Sequence, residues 1–347
     1  MDRSAGASKE RRYAPFVGKR LLQLVPQLLA ISAVTFLLIR LLPGDPARAL
    51  LGPHATADSV ASLNAAMGLD RSIPAQYVIY LGDILHGDLG HSWFTGQSVT
   101  TDLAQRAPAT IELLLYAMLV ALIVGLALGT YSATRQTRGG LSVGIRWYTR
   151  LAGAFPDFWV GLLAIYLFFF RWHIAPAPLG RLSLSTTPPP KVTGLYTVDS
   201  LLNGNLATFR DAVAHLALPV LVLGLILAPM IARVTSTSVA ETLRSETIRY
   251  ARAAGLKRTT LYRYLIRNSL PPVITIGGIL FVYLLGGAVL IEKVFSWGGI
   301  GQYAVQSVAN SDFAAIQGFV LLAATFTVLV YLIVDLVHMA IDPRVSQ

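Results

Sequence analysis

The sequence predicts an all-α polytopic integral membrane protein with six transmembrane helices. Three observations lead there. The 347 residues are 54% hydrophobic and only 13% charged, which leaves too little polar surface to cover a soluble domain of that size. Six stretches meet the requirement of about 20 mainly apolar residues for a helix that crosses a hydrocarbon core. The basic residues behind the net charge of +10 fall at the ends of those stretches. Membrane orientation uses them there, whereas nucleic-acid binding would gather them among stacking aromatics. No nucleic-acid partner is therefore expected. The chain has no cysteine, which excludes disulfides, thiolate metal sites and cysteine nucleophiles.

The elements follow in order. A basic segment, 1–20, precedes the first span, 21–42. Together with the small-x-small triplet Ala47-Arg48-Ala49, this start imitates a secretory signal, but the apolar core is too long for one and reads as a retained helix. An outer segment, 43–107, carries helix-like pieces and turn signals such as Pro43-Gly44-Asp45-Pro46. A core, 108–340, holds the other spans: Ile111 to Tyr131, Leu151 to Phe170, Val213 to Ala232, Pro271 to Ile291, and Ala314 to Ala340. Within it lie an outer loop, 171–211, stiffened by Pro188-Pro189-Pro190, and an inner loop, 235–269. A tail, 341–347, closes the chain. Gly125 and Gly129 share one face of the second span, where two backbones can approach. Pro219 and Pro229 each remove a backbone donor from the fourth.

Six spans put both termini on one side. The segments on that side carry 19 Lys and Arg, and the opposite segments carry eight. Basic residues concentrate in the cytoplasm, so both termini are expected there.

The inner loop reads as structured. Ser238 and Glu241 match a capping box that would start a helix. Glu241 with Arg244, and Glu246 with Arg249, are opposite charges at i and i+3. Gly255 follows Tyr250-Ala251-Arg252-Ala253-Ala254, where a left-handed residue would end the helix. A second short helix is expected from Thr259 or Thr260 to Asn268, with Pro271 and Pro272 opening the fifth span. This helix, glycine turn and helix could enter a groove on a soluble protein. Equally, the seven Lys or Arg between Arg244 and Arg267 could lay it on anionic lipid. The physical pattern leaves these two open.

Nucleotide-binding and zinc-site signatures are missing. No G-x-x-x-x-G-K-[ST] or H-E-x-x-H pattern occurs. His338 and Asp335, near the end of the last span, suit a cap or an interfacial pair. Asp83, His86, Asp88 and His91 share the outer segment but match no strong ligand spacing, which argues against a membrane metalloenzyme. An ion-gradient-driven secondary transporter or channel is the main alternative, yet such proteins place ionisable residues near the midplane. Here the clearest one is Asp157, about 10 Å along the third span from Arg150. An ion pair with Arg150 or Arg233 is its expected role.

Several segments together carry a family resemblance. Tyr250-Ala-Arg-Ala-Ala-Gly-Leu256 and Arg267-Asn268-Ser-Leu-Pro-Pro272 resemble the EAA loop of ABC importer permeases, in the dipeptide, oligopeptide and nickel branch. The series also includes Arg40-Leu-Leu-Pro-Gly-Asp-Pro46, Gly68-Leu-Asp-Arg-Ser-Ile-Pro74, Gly87-Asp-Leu-Gly90 and Pro108-Ala-Thr-Ile-Glu112. It ends with Val294-Phe-Ser-Trp-Gly-Gly-Ile-Gly301, Val334-Asp335 and Asp342-Pro-Arg344. Arg249 and Tyr250 stand where the general motif has Glu and Ala. The resemblance implies a type I ABC importer permease-like fold. It further implies that Arg249, Tyr250, Ala251, Arg252, Ala253, Ala254, Gly255 and Leu256 form a coupling helix against an ATP-binding subunit. The expected partners are a homologous second permease, two ATP-binding subunits and an extracytoplasmic substrate-binding protein, all acting in membrane lipid. ATP and Mg belong to the partner subunits, with no cofactor expected on this chain. Peptides or related small solutes are the implied cargo, and the substrate-binding residues are not identifiable.

Overall fold

A computed structural model describes residues 25–38, 55–66, 70–134 and 140–341, with isolated positions 18, 22, 40, 51 and 68. The chain up to residue 17, the Pro43-Gly44-Asp45-Pro46 turn and the tail from residue 342 lie outside the described residues. The regular elements among the described residues are helices: α1 (Val25–Leu38), α2 (Ala57–Ala66), α3 (Ile73–Leu85), α4 (Val99–Thr134), α5 (Gly140–Leu151), α6 (Asp157–Ala164), α7 (Tyr196–Leu202), α8 (Leu206–Arg244), α9 (Glu246–Ala253), α10 (Arg258–Val294), α11 (Ile300–Ala309) and α12 (Phe313–Ile341). A π-type turn, Ile165–Arg171, prolongs α6.

Four of these helices, α4, α8, α10 and α12, are long and apolar enough to cross a membrane. They coincide with the second, fourth, fifth and sixth apolar runs. At 36, 39 and 37 residues, α4, α8 and α10 are about 54–58 Å long, well beyond a hydrocarbon core of about 30 Å. They therefore extend past the lipid as continuous rods. Pro219 and Pro229 lie inside α8, and Pro271 and Pro272 lie inside α10. The expectation that Pro271 opens a span is thus corrected, because α10 starts at Arg258. The third apolar run is also redrawn. Its helix begins at Asp157, after a non-helical stretch over residues 152–156 that ends in Pro156. Pro156 cannot donate a backbone hydrogen bond and adopts an extended conformation, φ −63° and ψ 140°, which separates α6 from α5.

The chain divides into two compact units. The first comprises Met1–Ala107 with Gln302–Val328. In it, buried Phe36 of α1 lies 5.5 Å from the ring of Tyr80 and 5.3 Å from that of Tyr77, both on α3, and the Ser32 hydroxyl meets the Tyr77 hydroxyl at 2.9 Å. Buried Asp312 caps α12 by accepting from the Ala315 N–H, and its other oxygen accepts from the Ser92 hydroxyl and the Phe94 N–H. One carboxylate so fixes both a helix start and a distant loop.

The second unit comprises Pro108–Gly301 with Leu329–Gln347. Here α4 and α8 touch through glycine: a Cβ on Gly125 would lie 2.6 Å from Ile231 and 3.0 Å from the Ala228 carbonyl, and one on Gly129 would lie 2.5 Å from Thr235. Gly224 of α8 makes the reciprocal approach to Ala117 and Val120. The small-xxx-small reading of Gly125 and Gly129 is therefore a packing seam.

Above that seam the outer loop is bolted to α4 by Glu112, which is 2% exposed. Its carboxylate accepts from Arg181 at 2.5 Å, from the Thr197 hydroxyl at 2.6 Å and from the Thr197 N–H at 2.8 Å. Arg181 also covers the ring of Tyr196, 3.6 Å from its centroid. Next to it, the Thr110 hydroxyl donates to buried Glu292 and accepts from the Ile300 N–H, while the Trp297 indole donates to the Ala109 carbonyl. The segments Pro108–Glu112 and Val294–Gly301, far apart in sequence, are thus one packed joint.

Two predictions follow from this loop. Glu112→Ala leaves the Arg181 guanidinium buried without its counter-charge and is expected to destabilise by about 3–5 kcal/mol, whereas pairing Glu112→Met with Arg181→Met recovers most of the loss; thermal unfolding in detergent measures both. Burial pushes the Asp199 carboxyl up, but the Thr193 hydroxyl and the N–H groups of Thr193, Gly194 and Val192 outweigh it and hold it below the usual carboxylate range. Its contribution is complete above the unfolded value of about 3.9 and is lost as pH falls through the lower folded value. Amide protection factors at Val192 to Gly194, taken against the intrinsic exchange rate at each pH, should therefore fall on acidification below about pH 4, and Asp199→Asn should abolish that dependence.

Candidate functional site

The inner loop builds a short helix slung between two rods. The chain leaves α8 at Ser245, whose backbone turns extended at φ −65° and ψ 149° while its hydroxyl accepts from the Ile248 N–H. Ser245, not Ser238, is the cap. Ser238 lies buried inside α8 and donates to the Ser269 carbonyl of α10 at 3.0 Å. Ser269 donates in turn to Leu265 and Thr242. These hydroxyls tie α8 to α10 just where α9 hangs, so a sequence pattern that could cap a helix serves instead as an interhelical lock.

α9 ends in a left-handed glycine. Gly255 has φ +69°; its N–H donates to the Arg252 carbonyl, and the Leu256 N–H donates to the Ala251 carbonyl. That pair of bonds satisfies carbonyls the helix would otherwise leave orphaned and reverses the chain toward α10. A side chain at 255 would meet nothing within 4 Å, so glycine is required by the backbone and not by space. The two faces of α9 differ. Ile248 and Ala251 are buried at 2% and 3% exposure, on the side that packs against α8 and α10. Arg249, Tyr250, Arg252, Ala253, Ala254, Gly255 and Leu256 are all exposed, with Tyr250 at 78%.

Of the eight residues expected to form the contact surface, seven stand free and Ala251 faces inward. The expected Glu246–Arg249 pair is formed at 2.6 Å, but both side chains are over three-quarters exposed, so it contributes little. The helix presents two small alanines beside a turn, flanked by an aromatic ring and guanidinium groups. Such a knob suits insertion into a groove, with Tyr250 able to fill a pocket. Sequence reasoning missed the Ser245 cap, although Ser245-Glu246 places an acceptor and a first-turn acid together, the usual helix-start signal.

The other candidates do not assemble into a centre. The His86 ring nitrogen lies 2.8 Å from the Gly82 carbonyl, and the Asp88 carboxylate accepts from the Gly90 N–H. Each serves its own turn, and no metal-competent group of three such side chains exists among the described residues. His338 meets the Thr275 hydroxyl at 3.0 Å. Asp157 makes no ion pair among the described residues, contrary to the expected pairing with Arg150 or Arg233.

Known proteins match the chain along most of its length. The family described as "Binding-protein-dependent transport system inner membrane component" matches residues 125–347, and its N-terminal companion matches residues 14–114. The probable D,D-dipeptide transport system permease protein DdpB of Escherichia coli (strain K12) is 40% identical over 91% of this chain and 93% of its own. The di/tripeptide transport system permease protein DppB of Pseudomonas aeruginosa (strain UCBPP-PA14) is 38% identical over 96% and 98%. The glutathione transport system permease protein GsiC of Salmonella choleraesuis (strain SC-B67) is 34% identical over 95% and 98%. Matched along nearly its whole length, and carrying the long helices that a bilayer demands, the chain belongs to the family of binding-protein-dependent transport system inner membrane components.

Proposed function

We propose that this chain is one permease subunit of an ATP-driven importer of dipeptides and related short peptides, and that α9 with Gly255 is the element through which it is driven. The observation that carries the reading is the exposed Ala253-Ala254-Gly255 knob held between α8 and α10. Relatives bearing peptide-transport names support the cargo. A homologous second permease completes the pore, two ATP-binding subunits receive the α9 knobs, and an extracytoplasmic binding protein delivers the peptide. ATP and Mg are held by those subunits. With α1 and the α6 segment as the first and third of six membrane crossings, the Lys and Arg bias supports a cytoplasmic α9 and cytoplasmic termini. Nucleotide-driven closure then shifts the helices between inward-open and outward-open arrangements because α9 makes different contacts in each.

The glycine turn tests the drive. A β-branched side chain in the left-handed region costs about 1–2 kcal/mol, enough to lower correct docking roughly tenfold. Gly255→Val should assemble as a permease pair yet lose most peptide-stimulated ATP hydrolysis, while Gly255→Asn, which tolerates that conformation, should retain most of it. Full stimulation in Gly255→Val and in Ala254→Glu would remove α9 from the coupling path. Orientation has its own test, made simple by the absence of native cysteine. A membrane-impermeant maleimide should label Leu184→Cys in spheroplasts and Thr259→Cys only after permeabilisation, since both positions are exposed. The reverse pattern would invert the topology.

A further inference from the structure

The break in the third apolar run opens onto a cavity of about 750 Å³. Residues 153–156 of the non-helical stretch line it with Asp157, and α8 and α10 supply the opposite walls, including Met230, Tyr283 and Gly287. Its depth follows from the glycine seam. Gly224 sits against Ala117 and Val120, and Gly125 against Ala228 and Ile231. The cavity-lining stretch of α8, Ile226 to Met230, therefore runs beside residues 120–125, the middle of the second apolar run. Non-helical backbone at such depth persists only where protein buries it or water reaches it. Residues 153–156 are exposed on this chain, so water or a second protein surface must satisfy them.

Asp157 is the only carboxylate in this lining, and no Lys, Arg or His accompanies it. Space for it is kept by Gly287: a Cβ there would lie 2.9 Å from the Asp157 Oδ2. Its place in the first turn of α6 lets the helix dipole favour the charge without a cation beside it. The volume is that of a small-molecule site, and Phe155, Phe158 and Tyr283 add ring faces of the kind that attract cations. An ionisable side chain on an apolar run with no ion pair among the described residues is a mark of the transported species' path.

We propose that this cavity is a station on the translocation path, where the Asp157 carboxylate receives the protonated amino group of the peptide in transit. The inference rests on the peptide-importer reading and names the chemistry it uses: a zwitterionic solute leaves bulk water and needs one counter-charge for its ammonium, and Gly287 leaves that counter-charge room.

The full importer, with its binding protein, is reconstituted in proteoliposomes and supplied with radiolabelled dialanine. Asp157→Asn should lower ATP-dependent uptake at least tenfold. Asp157→Cys, in a chain that has no other cysteine, allows the charge to be returned after folding. An anionic sulfonatoethyl methanethiosulfonate should restore at least half of the uptake, and the cationic aminoethyl reagent none. Failure of the thiol to react would show a dry cavity and overturn the proposal. Equal effects of the two reagents, or wild-type uptake by Asp157→Asn, would do the same. Loss of the permease pair on purification of Asp157→Asn would assign the carboxylate to an intersubunit ion pair instead. Absence of dialanine uptake by the unsubstituted importer would refute the peptide reading itself, an outcome distinct from variants that match a working wild type.

Discussion

Lipid supplies no hydrogen bonds, and that constraint organises the whole chain. Every backbone N–H and C=O inside the hydrocarbon must be satisfied within the protein, so α4, α8, α10 and α12 remain helical through their apolar lengths even where proline intervenes. The same rule makes the break at residues 152–156 informative. Backbone can leave the helix there only where protein or water satisfies it, and a cavity lies beside the break. With hydrophobic burial largely neutral between helices in lipid, close contact has to come from shape. Gly125, Gly129 and Gly224 provide it by letting α4 and α8 approach backbone to side chain.

Polar groups take over where the helices leave the membrane. At one end of the second unit Glu112, Arg181, Thr197 and Asp199 hold the loop that follows α6, and every oxygen of these buried carboxylates has a donor. On the other side Ser238, Thr242 and Ser269 join α8 to α10. Neither network contains a nucleophile beside a base, and the chain is a permease, not an enzyme.

Much of this was legible in the sequence, and the reasons for the exceptions are physical. Hydropathy finds a helix by composition, so the second, fourth, fifth and sixth runs lie within observed helices. The same averaging is blind to Pro156, because Leu151 to Phe170 remains apolar on both sides of the break. Gly255 was readable, since a glycine after Ala-Ala at a helix end has few other uses. Ser238 misled because a capping serine and a serine that bonds to a neighbouring helix look alike until the neighbour, 31 residues away, is in place. Likewise Glu112 finds Arg181 at a separation of 69 residues, with no local pattern to announce it. Pro108–Glu112 and Val294–Gly301 were recognisable only as resemblances; the hydrogen bonds of Thr110 and Trp297 supply their cause.

The continuity of α8 and α10 beyond the membrane has a mechanical corollary. Two stiff arms, one of 39 residues and one of 37, converge on a crossbar of eight. Over a rod of about 58 Å, a tilt of about 5° moves the far end by about 5 Å, the height of one helical turn. The hydroxyl rivets at Ser238 and Ser269 oblige both arms to swing together. Pro229 removes a backbone donor from the longer arm at the level of the Asp157 chamber, because Met230 follows directly and lines it. If α9 is where the drive enters, as proposed, its displacement reaches the cavity walls through α8 and α10 themselves.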